Sequence, residues 1–450
     1  MNIKIITYGC QMNERDSERL AVFLQHQGHS LTSAEDEAQV FILNTCSVRA
    51  KAEAKALGKL RLLTASKAAY PQRIVGVVGC MVQRLGRDIF RLVRALDFAV
   101  GPRALARVPE FITAVAAGQQ SLLDLGTAPD ASAQDGHISG RATALISILF
   151  GCNRQCSYCI VPQVRGPEWS RPAEAIIAEA QRLVAGGVKE ITLLGQSIMA
   201  YGRCQPVWPR SYRSPRGFEE PLPRLLEALQ AIPALRRIRF TSNHPSGCTP
   251  ELVRALVELP SVSTHLHLPL QSGSDRILGL MRRGYSVAEY SAGIQRVRSA
   301  LPDLALTIDF IVGLPLETQA EFEMTRRLLA ALKFDNAFIF KYSARPHTPA
   351  AQWPDDVDPA EKLRRNHVLL AEQNQQCLAL NQKLVGRVLE VLIEGPSRRN
   401  PQRFSGRTRT NKIVLLEPGS DVRPGDLVRV SIQQAKMQTL YGRLASEDKF

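Results

Sequence analysis

Gly151-Cys152-Asn153-Arg154-Gln155-Cys156-Ser157-Tyr158-Cys159 places three cysteines within eight residues, directly after the apolar run Ala144 to Phe150. That run has the character of a buried strand, so the cysteines occupy the loop at its carboxyl end. Their spacing lets one short loop turn three thiolates toward a common point, which suits zinc or an iron–sulfur cluster. A fully ligated cluster takes four protein ligands, and a loop that supplies three leaves one metal position open. A structural zinc ion completed by a distant ligand is the competing reading.

Outward from this loop, six strand-like runs alternate with helical ones: Ala144–Phe150, Glu190–Gly195, Arg237–Ser242, His265–Leu270, Leu304–Val312 and Ala337–Tyr342. The helices between them include 173–185, 222–230, 250–259, 286–300 and 317–332. This is the pattern of a partial (β/α)6 barrel over residues 138–373, with its active site expected at the carboxyl ends of the strands. Beside the three cysteines, those ends carry Gln196, Ser242-Asn243-His244, Gln271-Ser272 and the loop from Gly313 to Glu317. A single Gln or Ser after a strand is usually a cap or turn residue, and only convergence makes a site. The stretch Arg203 to Gly217 interleaves four arginines with Trp208 and Tyr212, the makings of an RNA-facing loop or of a Pro-rich surface loop.

Residues 1–116 read as a separate parallel-sheet βα domain. Ile3 to Cys10, Val40 to Cys46 and Ile74 to Cys80 are strand-like, each is followed by a helical pattern, and 97–101 offers a further short strand. Cys10, Cys46 and Cys80 each end their strand. Ligands of open parallel sheets bind outside the carboxyl ends, so three thiols would meet on one edge and form a second three-cysteine site. The polar segment from Gly118 to Gly140 reads as a linker.

Residues 376–446 carry five short strand-like runs separated by Gly-Pro and Pro-Gly turns, which suggests a small closed five-stranded β-barrel of the oligonucleotide-binding kind. From Cys377 onward, 13 Lys and Arg stand against 7 Asp and Glu. Arg398, Arg399, Arg403, Arg407 and Arg409 fall along one hairpin, as a phosphate-binding surface would require.

The whole chain has 450 residues and a formal net charge of +15, which favours a polyanionic partner. No apolar run is long enough to span a bilayer, and the amino terminus lacks a signal-peptide pattern, so no membrane association is expected. Nine cysteines, an odd number spread over a long chain, argue for reduced thiols and a cytoplasmic location. Cys204, Cys248 and Cys377 are given no role.

A Cys-x-x-x-Cys-x-x-Cys loop after the first strand of a six-unit barrel, with Tyr158 before the last cysteine, resembles the radical S-adenosylmethionine superfamily. Joined to an amino-terminal three-cysteine domain, the chain is similar to the methylthiotransferases of that superfamily. The matching residues include Tyr8 to Asn13, Asn44 to Arg49, Cys159 to Pro162, Arg165-Gly166, Ser170 to Pro172, His267 to Ser274, Arg282 to Tyr285 and Tyr342 to Pro346. Gln11-Met12 after the first cysteine points to the branch acting on N6-isopentenyladenosine at position 37 of tRNA. Branches acting on threonylcarbamoyl-adenosine or a ribosomal protein are the alternatives, as is a non-catalytic zinc-containing RNA-binding protein. Leu194 to Tyr201 lacks two asparagines of the family pattern, and Leu316 stands where the family has glycine.

The resemblance implies two [4Fe-4S] clusters. Cys152, Cys156 and Cys159 would hold the one that binds S-adenosyl-L-methionine and splits it to a carbon radical. Cys10, Cys46 and Cys80 would hold an auxiliary cluster used in sulfur insertion at C2 of the adenine. Gln196, Ser242, Gln271, Asp309 and Gly313 are the residues expected to contact S-adenosylmethionine. The tail resembles a TRAM-like RNA-binding barrel. The expected partners are tRNA and a reduced electron donor such as flavodoxin or ferredoxin, with the protein a monomer.

Overall fold

The computed structural model describes residues 1–48, 50–127, 136–241 and 243–445. The amino-terminal sheet has six parallel strands: β1 (Asn2–Tyr8), β2 (Ser30–Leu31), β3 (Val40–Thr45), β4 (Ile74–Gly79), β5 (Phe98–Val100) and β6 (Leu122–Asp124), in the order β2-β1-β3-β4-β5-β6. Every residue of β3 and β4 is buried, because helices cover both faces. Alternate side chains serve the two cores: Val40, Ile42, Ile74 and Val78 pack on one face, Phe41, Leu43, Val75 and Val77 on the other. The sheet is thus larger than three strands and one short addition. β6 lies inside the stretch expected to be linker, of which residues 128–135 fall outside the described set.

The barrel strands are β7 (Thr143–Ser147), followed after the short β8 (Leu149–Phe150) and β9 (Trp169–Ser170) by β10 (Glu190–Leu194), β11 (Arg237–Phe240), β12 (His265–His267), β13 (Ala305–Val312) and β14 (Asn336–Lys341). β7, β10 and β11 form one parallel run, β12, β13 and β14 another, and the parallel bridge Ile238–Val262 lies beside β11 on the way to β12. Six parallel strands in sequence order are the partial barrel that the pattern implied. One expected strand divides in two: the run Ala144–Phe150 breaks at Ile148, and β8 pairs antiparallel with β9, Leu149 opposite Ser170. That small ladder closes the base of the cysteine loop.

The carboxyl-terminal strands β15 (Val388–Pro396), β16 (Phe404–Thr408), β17 (Ile413–Leu416), β18 (Leu427–Ala435) and β19 (Thr439–Leu444) form a closed five-stranded barrel around Val391, Ile393, Val414, Val430 and Ile432. It is docked on the central barrel. Arg237, with no exposed surface, donates to the carbonyl of Arg407 at 2.6 Å and to Glu390 at 2.7 Å. Arg239 donates to the Thr408 carbonyl at 2.6 Å and to Glu190 at 2.8 Å. Buried charges are tolerated here because each guanidinium meets several acceptors.

This docking corrects the reading of the basic hairpin. Arg409 donates to the Val262 carbonyl at 2.9 Å, Arg407 pairs with Glu394 at 2.9 Å, and Arg403 donates to the Leu416 carbonyl. Arg398 and Arg399 alone of the five are exposed. Of the aromatics in the Arg203 to Gly217 loop, Trp208 packs on the barrel core and Tyr212 stacks on it with centroids 4.0 Å apart. A 24-residue helix, Pro359–Gln382, not foreseen from sequence, ties the two barrels together. Its Asn381 donates to the Lys436 carbonyl at 2.9 Å. No helix among the described residues is long and apolar enough to cross a membrane.

Candidate active site

β1, β3 and β4 are neighbours in parallel register, Tyr8 opposite Thr45 and Thr45 opposite Gly79, so their carboxyl ends lie side by side. Cys10, Cys46 and Cys80 follow those ends. Gly79 makes the turn possible: its φ is +100°, and a Cβ there would stand 2.6 Å from the Thr45 carbonyl oxygen. Asn13 and Asn44 brace the edge, the Asn13 amide donating to Asn44 Oδ1 at 3.0 Å and the Asn44 amide to the Asn13 carbonyl at 2.9 Å. A hydrogen bond from Cys46, aided by the Arg165 charge, lowers Cys10 to about 6, while the same bond raises Cys46. Burial raises Cys80, and Arg165 Nε donates to its sulfur at 3.1 Å.

The second set lies in the loop closed by β8 and β9. Gly151 has φ +72°, and a Cβ there would meet the Pro167 carbonyl oxygen at 2.0 Å. The Cys152 N–H donates to the Gly166 carbonyl at 2.9 Å, and the Asn153 and Glu168 backbones exchange hydrogen bonds with each other's side chains. Arg283 donates to Cys156 Sγ at 3.3 Å and to the Pro269 carbonyl at 3.1 Å. Burial raises Cys152, and pushes Cys159 up to about 12. Each set therefore has one buried arginine on one of its sulfurs.

Cys10, Cys152, Cys156 and Cys159 line a single cavity of ≈ 830 Å³. Gln196, Gln271 and Asp309 line it too, whereas Cys46, Cys80 and Gly313 are not among its lining residues. Ser242 lies outside the described residues. Gln271 adopts φ +87°, a strained backbone conformation of the kind that gathers at functional sites. Asp309 is engaged by His267 at 3.4 Å. Gly313 instead makes room for the Pro359–Gln382 helix, a Cβ there lying 2.3 Å from Lys362 Cγ.

Three strand-end residues on the cavity wall have polar atoms without protein partners. Asn243 donates to the His267 carbonyl at 2.8 Å, leaving Oδ1 without a donor, and the Gln196 Oε1 and His244 Nε2 atoms are likewise unpaired. Burial, then the charges of Arg283 and Arg154, lower His244 to about 2, so it is neutral. Nδ1 of His244 accepts from the Ser246 N–H, which leaves Nε2 as a donor. Two acceptors and one donor without protein partners suit a polar organic ligand. Among the described residues, no group of three or more His, Cys, Asp or Glu is placed to hold a metal ion. The two sets of three thiols are the donor type that a cluster with one open iron takes, and in this structure they are not drawn in as the ligands of a single ion.

A radical S-adenosylmethionine enzyme is the class defined by a cysteine loop after the first strand of such a barrel, and the family description "Radical SAM superfamily" matches residues 146–329. "Uncharacterized protein family UPF0004" matches residues 2–101 and "TRAM domain" residues 382–445. The fold is shared with the radical S-adenosylmethionine methyltransferase TsrM of Kitasatospora setae, at TM-score 0.58 and 12% identity, over 86% of this chain and 78% of that one. Two curated relatives carry the name tRNA-2-methylthio-N(6)-dimethylallyladenosine synthase. That of Moorella thermoacetica is 43% identical over 98% of both chains, and that of Methylacidiphilum infernorum 41% identical over 98% of this chain and 94% of its own. The chain belongs to the tRNA-2-methylthio-N(6)-dimethylallyladenosine synthase family.

Proposed function

We propose that the protein methylthiolates C2 of N6-isopentenyladenosine at position 37 of tRNA. The observation that carries this reading is the meeting of Cys10 with Cys152, Cys156 and Cys159 in one cavity, walled on one side by the carboxyl-terminal barrel. A threonylcarbamoyl-adenosine or ribosomal-protein substrate is less favoured, since the near-full-length relatives carry the isopentenyladenosine name.

Cys152, Cys156 and Cys159 would hold one [4Fe-4S] cluster and Cys10, Cys46 and Cys80 the other. Bound clusters and S-adenosylmethionine supply the radical and sulfur chemistry. The chain's own residues bind and orient. Gln196 Oε1 and Asn243 Oδ1 would accept from, and His244 Nε2 would donate to, the polar groups of S-adenosylmethionine; Gln271 lines the same wall. Asp309, held by His267, would act from the adjoining strand, while Gly313 shapes the loop before Glu317 from outside the cavity. Arg165 and Arg283 donate to one sulfur of each set and favour the thiolate forms. The adenine must leave its stack to reach the cavity.

The net charge of +15 suits tRNA as partner. Nine free cysteines suit a reducing, cytoplasmic setting. A reduced flavodoxin or ferredoxin would supply electrons to a monomer. Three units are proposed: 1–116 for the auxiliary cluster, 138–373 for radical chemistry and 376–446 for RNA. The test is anaerobic turnover on an isopentenylated anticodon stem-loop followed by nucleoside mass spectrometry. Appearance of a methylthio group on adenine supports the proposal, and its absence from protein with both clusters loaded overturns it.

A further inference from the structure

The cysteine loop Gly151 to Cys159 is a thin partition with two faces. Cys152, Arg154, Cys156, Tyr158 and Cys159 line the cavity, whereas Asn153 and Gln155 are exposed and are not among its lining residues. The cavity face is the one that S-adenosylmethionine and the target base would fill. The outer face is open to solvent, and only the thickness of the loop separates it from the three cysteines.

Exposed arginines border that outer face on two sides. On one side Cys204 Sγ lies 3.3 Å from the Asn153 amide and 3.3 Å from Glu168, which holds the segment after Tyr201 against the loop. Arg203 is its exposed neighbour. On the other side the Ser157 N–H donates to the Met281 carbonyl at 3.2 Å, and the Ser157 hydroxyl to the Leu280 carbonyl at 2.8 Å. Arg282 follows directly, at φ +55°, and is exposed, while Arg283 turns inward to Cys156. Arg210 and Arg213 continue the charge along the stretch from Arg203 to Gly217, which holds no acidic residue. That stretch is held in place, since the Gln205 amide donates to the Ser170 carbonyl at 2.8 Å and Trp208 packs on the barrel core. Arg216 lies within 4.0 Å of Glu227 and Glu258, but among the described residues no carboxylate pairs with Arg203, Arg210, Arg213 or Arg282.

We propose that this outer face docks a small acidic protein that carries one electron. The inference rests on the function proposed above and deepens it by locating where the electron enters. In the docked pair the carrier is oxidised by one electron and the cluster behind the loop is reduced by one; no bond breaks and no proton moves. Electron transfer falls off steeply with distance, so the carrier has to touch the chain beside the cysteine loop, and the cavity is closed to it by substrate. Arginines without carboxylate partners on a fixed surface suit a carboxylate-rich partner that is steered in by charge, held weakly and released after each transfer. RNA suits this face less well, because its target base must enter the cavity, and residues 203–217 and Arg282 are not among the lining residues.

The test uses the full chain with both clusters loaded and flavodoxin as the probe. Binding of labelled oxidised flavodoxin is read by fluorescence anisotropy at low and at high salt, and binding of tRNA is read alongside. The unaltered protein is expected to bind flavodoxin and to lose affinity as salt rises. Arg203→Glu/Arg282→Glu should weaken flavodoxin by roughly ten- to a hundredfold, as like charges across an interface do, and leave tRNA affinity unchanged. Arg203→Lys/Arg282→Lys keeps the charge and should stay close to the unaltered protein. Formation of 5′-deoxyadenosine should fall in the glutamate pair when flavodoxin hydroquinone is the reductant, and hold when dithionite, which needs no docking, replaces it. Undiminished flavodoxin binding in the glutamate pair overturns the proposal. So does a loss that falls on tRNA instead, which would make the face an RNA surface, or an equal loss with dithionite, which would place the arginines in the reaction itself. Cleavage of S-adenosylmethionine with both reductants but no methylthio group on adenine overturns the methylthiolation reading and leaves the docking face standing. No cleavage with dithionite by the unaltered protein overturns both.

Discussion

Arg165 Nε lies 3.1 Å from Cys80 Sγ, although the two residues belong to different helices and stand 85 positions apart. Arg165 ends the short helix Val161–Arg165 that starts just after Cys159, and its other side meets Asp16 at 2.8 Å. Ile160 and Val164 pack on Cys80. The loop that carries one cysteine set therefore also holds the other in place.

Removing that guanidinium should lower the reduction potential of a cluster held by Cys10, Cys46 and Cys80, because a positive charge and a hydrogen bond on sulfur both favour the reduced state. In a Cys152→Ala/Cys156→Ala/Cys159→Ala background, Arg165→Gln is expected to shift the potential down by some tens of millivolts, ~59 mV being tenfold for one electron. Arg165→Lys should shift it less. Redox titration followed by electron paramagnetic resonance reads the change, and an unmoved potential would show the contact to be packing alone.

Gly151→Ala should remove iron from the barrel site selectively. The new Cβ would stand 2.0 Å from the Pro167 carbonyl at a φ of +72°, so the loop must open. Iron per chain should fall by about half, as expected for loss of one of two similar clusters, while thermal stability changes little. Full iron retention would mean that the loop tolerates another path.

His137 gives a pH dependence to the joint between the first two regions. Burial opposes its charged form, but Glu179 at 2.6 Å and Glu18 at 3.3 Å raise it above its ordinary value overall. Arg15 and Arg171 also face Glu179. A raised folded value stabilises fully below the unfolded value of about 6.5 and loses that contribution as pH rises through the folded one. The stability gap between the unaltered protein and His137→Gln should therefore be largest under mildly acid conditions and shrink toward alkaline pH. Thermal unfolding across that range measures it, and a gap that grows with pH contradicts the assignment.

Arg237→Ala should loosen the carboxyl-terminal barrel. It leaves half-buried Glu390 without its partner at 2.7 Å and the Arg407 carbonyl without its donor, a loss of about 1–3 kcal/mol for acceptors left unsatisfied. Limited proteolysis between residues 383 and 388 should accelerate. Unchanged cleavage would show that Arg239 and Arg409 suffice.

Much of this was legible in the chain. Strand ends can be read from short apolar runs, and a cysteine at each of four such ends marks both sites without any knowledge of contacts. What stayed hidden is non-local. Nothing in the spacing around Arg283 shows that it reaches Cys156, 127 positions away. The hairpin arginines could be counted but not aimed: Arg409 spends its charge on the carbonyls beside β12, and Arg407 pairs with Glu394 at the cavity. The helix Pro359–Gln382 buries Lys362, Arg365, Gln373 and Asn381 along with Leu369, so its apolar stripe is too thin to see. β6 escaped because Leu122–Asp124 is only half-buried and sits in polar sequence.

The measurement to make first is iron and labile sulfide per chain after anaerobic reconstitution. It compares the unaltered protein, Cys152→Ala/Cys156→Ala/Cys159→Ala and Cys10→Ala/Cys46→Ala/Cys80→Ala. About eight irons, falling to about four in either triple variant by the cubane count, is the expected outcome and establishes two independent clusters. Four irons that vanish in one variant and persist in the other, or zinc in place of iron, would contradict it.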